Sequence, residues 1–155
     1  AQRLASKKGG RSCKTVEEAL DGADIVCTVT AASEPILFGR QLADGMHVNL
    51  VGSSFPAKRE ADDEVVTKSR FFIDYLPSTL DQASEFLHAR ETGLVSDDHI
   101  LGEIGAVATG EIKGRQSDAD ITVYKSLGVA AQDIMTARRV FELACSAGLG
   151  TLANI

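Results

Sequence analysis

The chain contains no tryptophan, and its aromatic content is limited to two tyrosines and six phenylalanines. It also has no run of lysine or arginine and no aromatic-basic interleaving, and its formal net charge is −6. A nucleic-acid surface needs clustered positive charge and stacking platforms, so that class is excluded. The acidic balance suits solubility. No apolar run approaches the roughly 18 residues a membrane span requires, and the first residues have no signal-peptide core. Cysteine is sparse: Cys13, Cys27 and Cys145 are odd in number and far apart. That pattern excludes a disulfide framework and points to reduced thiols in the cytoplasm, with Cys27 and Cys145 expected as small core residues. His47, His88 and His99 pair with nothing at metal-ligand spacing, so no metal site is expected. The dinucleotide fingerprint Gly-x-Gly-x-x-Gly is also missing, since Gly9-Gly10 does not match it and follows a helix-like stretch.

What remains is an ordinary globular composition, 44% hydrophobic and 25% charged over 155 residues, enough for one domain or a large part of a bigger one. Its centre is Met46-His47-Val48-Asn49-Leu50-Val51-Gly52-Ser53-Ser54. This reads as a short buried strand that starts after the turn Asp44-Gly45 and stops in glycine and two hydroxyls. Taken alone, such an ending is also what a strand running into a polar turn looks like.

The elements around it alternate. Thr15-Val16-Glu17-Glu18 has capping-box spacing and starts a short helix that Asp21-Gly22 stops. Residues 23–30 form a strand of the kind found in parallel sheets covered on both faces. Glu60, Asp62, Asp63 and Glu64 favour a helix start, and Val65 and Val66 give that helix its apolar side. Phe71 to Tyr75 is a third strand. Pro77-Ser78 opens a longer helix, with Ser78 and Asp81 at capping-box spacing and Leu80, Ala83, Phe86 and Leu87 as its stripe. A further helix is expected over 99–109, with Asp97 or Asp98 as cap. Residues 121–125 form a fourth strand, and a last helix over 129–147 places Ile134, Ala137, Val140, Phe141 and Ala144 on its buried side. Helix-strand alternation of this sort predicts a doubly wound α/β domain with a parallel sheet.

Three strands close in Thr30, in Gly52-Ser53-Ser54, and in Ser126-Leu127-Gly128. In a parallel sheet those ends share one edge, where ligands bind. Hydroxyls and backbone amides there suit a polar, partly anionic ligand such as a dinucleotide. Lys58 reads either as a charge near a phosphate or as a solvated lysine. Lys125 reads either as catalytic or as a snorkelling structural residue. No triad, carboxylate dyad or metal box is present.

Several segments together resemble the ornithine cyclodeaminase/μ-crystallin family: Gly22-Ala23-Asp24-Ile25-Val26 through Thr30, Glu34-Pro35-Ile36-Leu37, and Gly45-Met46-His47-Val48-Asn49-Leu50-Val51-Gly52. The resemblance continues with Gly114-Arg115-Gln116-Ser117-Asp118 and with 121–128 through Gln132-Asp133. It implies a partial Rossmann domain over 1–128 and a C-terminal helical segment over 129–155 that belongs to a dimerisation domain. It also implies that the chain is the second half of such a protein, with the glycine-rich phosphate loop and the substrate-carboxylate grip lying before Ala1. By position, Thr30, Val51, Gly52, Ser53, Ser54, Lys58 and Ser126 would contact NAD or NADP, with Leu127 near substrate. Homodimerisation of the full-length protein and a small amino or imino acid substrate are implied as well. Cyclodeaminases carry an aspartate where this chain has Ser54, and a serine hydroxyl is no base near neutral pH. The resemblance therefore implies reduction of a ketimine or cyclic imino acid such as pyrroline-2-carboxylate, with Ser54 as a candidate proton relay. Ornithine cyclodeaminase, and a non-catalytic crystallin-like binding protein or inactive remnant, are the alternatives.

Overall fold

The computed structural model describes every residue except 54, 56, 57, 152, 154 and 155. The chain runs α1 (Gln2–Lys8), α2 (Val16–Leu20), β1 (Ile25–Thr28), β2 (His47–Leu50), α3 (Asp63–Thr67), β3 (Arg70–Ile73), α4 (Leu76–Gln82), α5 (Ser84–Glu91), β4 (Ile100–Glu103), α6 (Ile104–Ala108), β5 (Thr122–Lys125) and α7 (Ala130–Ser146). Short 3-10 turns lie at Gly39–Gln41 and Asp97–His99. The strands form one parallel sheet in the order β1-β2-β5-β3-β4.

The register sorts the sheet into two faces, because side chains alternate along each strand. One face carries the rows Val26, Val48, Val123, Phe71 and Thr28, Leu50, Lys125, Ile73. Val48, Leu50, Val123, Phe71, Ile73 and Lys125 are all fully buried there, beside Val65 and Val66 of α3 and Phe86 of α5. The Phe71 and Phe86 rings lie 5.9 Å apart. The other face carries Ile25, His47, Thr122, Arg70 and Cys27, Asn49, Tyr124, Phe72. It is bare at the β1 end, where Ile25 is 65% exposed and Cys27 is exposed, and covered by β3, where Phe72 is buried.

Several expectations are corrected. Residues 23–30 are not covered on both faces, and neither Cys27 nor Cys145 is a core residue; both are exposed free thiols. The helix expected over 99–109 begins as β4 and becomes helical only at Ile104. Ile100 and Ile104 have helical spacing, but Gly102 sits at φ 148°, outside any helix, with Ile112 packed where a β-carbon would stand. Backbone pairing with β3 takes precedence.

The longer helix after Pro77 is broken at Ala83, which is fully buried at φ −77°, ψ 83°. Its start is Leu76 rather than a Ser78–Asp81 box, with Pro77 in the first turn. The 3-10 turn before β4 is capped by neither Asp97 nor Asp98; Ser96 precedes it and makes no side-chain cap. Thr15 caps α2 as expected, accepting from the Glu18 amide at 3.2 Å, while the Glu18 carboxylate reaches one residue further back, to the Lys14 amide at 2.9 Å. Asp62 caps α3 by accepting from the Val65 amide, but Glu60 lies outside that helix. On α7 the predicted side is not buried within this chain: Ile134, Val140 and Phe141 are 67%, 59% and 69% exposed.

Candidate functional site at the carboxyl edge of the sheet

Thr28, Leu50, Lys125 and Ile73 are neighbours across four strands, so the carboxyl ends of β1, β2, β5 and β3 stop level with one another. Thr30, Val51, Gly52, Ser53, Ser126 and Leu127 all follow directly from this row. The resulting rim is exposed at Val29 (69%) and Val51 (43%).

Each neighbouring pair of strand ends is tied by a carboxylate that the sequence reading did not place at the site. Between β1 and β2 it is Glu60, fully buried. It accepts from the Thr28 hydroxyl at 2.7 Å, the Thr30 amide at 2.5 Å, the Thr30 hydroxyl at 2.7 Å and the Gly52 amide at 2.8 Å. Burial pushes its pKa up, but the donors from Thr28, Thr30 and Gly52 together outweigh that, and the net shift is below the ordinary 4.5. The carboxylate therefore stays charged. A β-carbon on Gly52 would overlap both that carboxylate and the Thr30 backbone. Glycine is required there for close approach and not for an unusual φ.

Between β2 and β5 stands an ion pair, Lys125 Nζ to Glu85 Oε2 at 3.0 Å, with both side chains fully buried. Lys125 also donates to the Ser53 carbonyl at 2.6 Å, and Glu85 Oε1 accepts the Glu60 amide at 2.9 Å. The break at Ala83 starts α5 with Ser84 and Glu85 buried against the sheet. Lys125 thus neither snorkels nor reaches the surface. Between β5 and β3, Asp74 accepts from the Leu127 amide at 2.7 Å, the Gly128 amide at 2.8 Å and the Ser126 hydroxyl at 3.2 Å. Between β3 and β4, Glu103 accepts from the Leu76 amide at 2.9 Å.

The predicted site residues separate on this geometry. Thr30, Val51, Gly52, Ser126 and Leu127 come together along the rim. Ser53 joins them in position, but its side chain is turned inward, 3% exposed, donating to the Lys58 carbonyl and lying 3.3 Å from the Ser84 hydroxyl. Lys58 is exposed, and its amide donates to the Phe55 carbonyl at 3.0 Å. Ser54 lies outside the described residues.

A hollow of about 440 Å³ at the opposite edge is lined by Asp24, His47, Arg115, Asp118 and Thr122. Within it His47 bonds Thr122 at 2.8 Å, and Arg115 donates to Thr122 at 3.2 Å. It contains none of the predicted residues. No group of three or more His, Cys, Asp or Glu suited to a metal occurs among the described residues, and no helix among them is long and apolar enough to cross a membrane.

The rim's chemistry suits a flat ring that carries polar groups. Half-exposed Val51 and exposed Val29 offer apolar contact for a flat ring, and the Thr30 and Ser126 oxygens, their protons given to Glu60 and Asp74, offer acceptors beside it.

Comparison with known proteins shows the family. Residues 3–148 match the model of the ornithine cyclodeaminase/mu-crystallin family. The chain is 37% identical over 144 residues to ketimine reductase mu-crystallin of Mus musculus, covering 92% of this chain and 43% of that protein. It is 35% identical over 140 residues to ornithine cyclodeaminase of Brucella suis biovar 1, covering 89% of this chain and 37% of that one. The structure of Thermococcus litoralis Delta(1)-pyrroline-2-carboxylate reductase, in complex with NADH and L-proline, matches 99% of this chain and 48% of its own. That match has a TM-score of 0.87 at 31% identity. The chain thus spans less than half the length of the relatives it matches.

Proposed function

Because the chain belongs to the ornithine cyclodeaminase/mu-crystallin family, we propose that it forms the nicotinamide side of an NAD(P)H-dependent reductase acting on a ketimine or cyclic imino acid of the pyrroline-2-carboxylate type. The observation that carries this reading is the level row of strand ends, which brings Thr30, Val51, Gly52 and Ser126 to one edge. Thr30, Val51, Gly52, Ser53, Ser54, Lys58 and Ser126 are the proposed cofactor contacts, with Leu127 beside the substrate. Ser53 would act through its backbone, since its hydroxyl is already committed.

When bound, NAD(P)H supplies a hydride to the C=N carbon. The protein's part is orientation. Glu60 fixes the Thr30 and Gly52 amides, and Asp74 fixes the turn carrying Ser126 and Leu127. Holding both turns rigid before the ligands arrive lowers the entropic cost of a reactive alignment. The remaining step is a proton to nitrogen, for which Ser54 with water is the proposed relay. The residues gripping a substrate carboxylate are proposed to come from outside residues 1–155, and the full-length protein to be a cytoplasmic homodimer.

The test is oxidation of NADH or NADPH by the full-length protein with a cyclic imino acid. Turnover is expected, and its absence with bound cofactor contradicts the reading. A cyclodeaminase reading is favoured by the Brucella relative. It predicts ammonia and proline from ornithine without net NADH in the natural protein; gain of that activity only in Ser54→Asp shows instead that the serine is what limits it.

A further inference from the structure

The reduction proposed above leaves one fully buried cation, Lys125, without a part to play. Lys125 is 0% exposed, and its charge is taken from water at a cost that an apolar side chain of similar length would avoid. Packing alone therefore does not account for it.

Its contacts close a ring. The Lys125 ammonium donates to the Ser53 carbonyl, and Ser53 is covalently joined to Gly52. The Gly52 amide donates to Glu60, the Glu60 amide donates to Glu85, and Glu85 pairs with Lys125. Each member is held by a bond to the next, and the bonds made by Lys125 and Glu85 are buried. Lys125 is the member that belongs to the sheet, and Ser126 is its direct neighbour in sequence. The ring thus fixes the turn after β2 against the turn after β5, the two places where the rim offers Val51, Gly52 and Ser126.

We propose that Lys125 is a positioning residue for hydride transfer: through the Ser53 carbonyl it sets the distance between the β2 and β5 turns on which the nicotinamide lies. This rests on the reductase reading. Lys125 touches neither cofactor nor substrate, so its loss acts on alignment more than on cofactor affinity. A misplacement of about 1 Å costs on the order of a hundredfold in rate.

The experiment uses the full-length protein and the double variant Lys125→Met with Glu85→Gln. This pair removes both charges together and keeps an acceptor for the Glu60 amide. The double variant is expected to unfold at a temperature near that of the natural protein and to bind NADPH within about threefold of its affinity. Its kcat is expected to fall at least tenfold, and the isotope effect on kcat with NADPH deuterated at the transferred position is expected to rise as hydride transfer becomes limiting. If this variant does not fold, Lys125→Met with Glu85→Met, an apolar pair, is read in the same way. A folded double variant with kcat and isotope effect unchanged overturns the inference while leaving the reductase reading intact. A natural protein that binds neither NADH nor NADPH overturns both.

Discussion

The two faces of the sheet are built from the same four strands and have opposite fates. On one, Val48, Leu50, Val123, Phe71 and Ile73 are sealed beneath α3 and α5, together with a buried lysine. On the other, Ile25 is 65% exposed, and His47, Asn49 and Tyr124 are only half-buried. An α/β sheet needs layers on both sides, and this chain supplies one in full. The covered face is also the face from which the rim is held, since Lys125 and Ile73 end its last row and Glu60 and Glu85 lie against it. Core packing and site geometry are therefore one construction on that side. The bare face and the exposed apolar side of α7 are surfaces on which this chain makes few demands of its own.

Substitutions on the two faces should differ sharply. The largest effect is expected from Glu85→Leu, which strands the Lys125 charge in the interior. Removing one partner of such a pair costs about 3–5 kcal/mol, read as a fall in stability to urea, and a loss under about 1 kcal/mol would break the contrast. Leu50→Ala opens a cavity on the same face and is expected to cost about 2–5 kcal/mol. Asp74→Leu leaves the half-buried Leu127 amide without its acceptor, at about 1–3 kcal/mol, whereas the amide of exposed Gly128 can turn to water. A smaller and reversible effect comes from acid. Glu60 is held below its ordinary 4.5, so its contribution to stability is complete above that pH and declines as the pH falls through the lower folded value. Stability that does not fall in that window, or a Glu60→Gln variant with the same acid profile, would remove Glu60 from the account. Smallest of all, Ile25→Thr on the bare face is expected to change stability by no more than about 0.5 kcal/mol. A loss comparable to Leu50→Ala would show that the bare face is packed after all.

Four of the strands were legible: β-branched and aromatic residues cluster at 25–28, 70–73 and 122–125, and Val48, Leu50 and Val51 after the Asp44-Gly45 turn mark 47–50. β4 was not, since Ile100 and Ile104 have the spacing of a helix and only the open edge of β3 converts the first of them to strand. The positions along the rim could be read from strand endings of hydroxyl and glycine. The carboxylates that hold those endings could not. Glu60 lies 32 residues from Thr28, and Asp74 lies 53 from Leu127, so no local spacing links donor to acceptor. In sequence Glu60 merges with an acidic cluster that does begin a helix, and only the fold separates it from Asp62 and Asp63. Lys125 was noticed, but its burial depends on the break at Ala83 that places Glu85 against it, and nothing in the residues 76–91 announces that break.

The most direct test of the rim as the nicotinamide site is nuclear Overhauser transfer from the Val51 methyl protons in the full-length protein saturated with NADPH. The account predicts transfer to the nicotinamide ring protons, with none to the adenine. Transfer to the adenine protons, or none at all in a saturated complex, would contradict it.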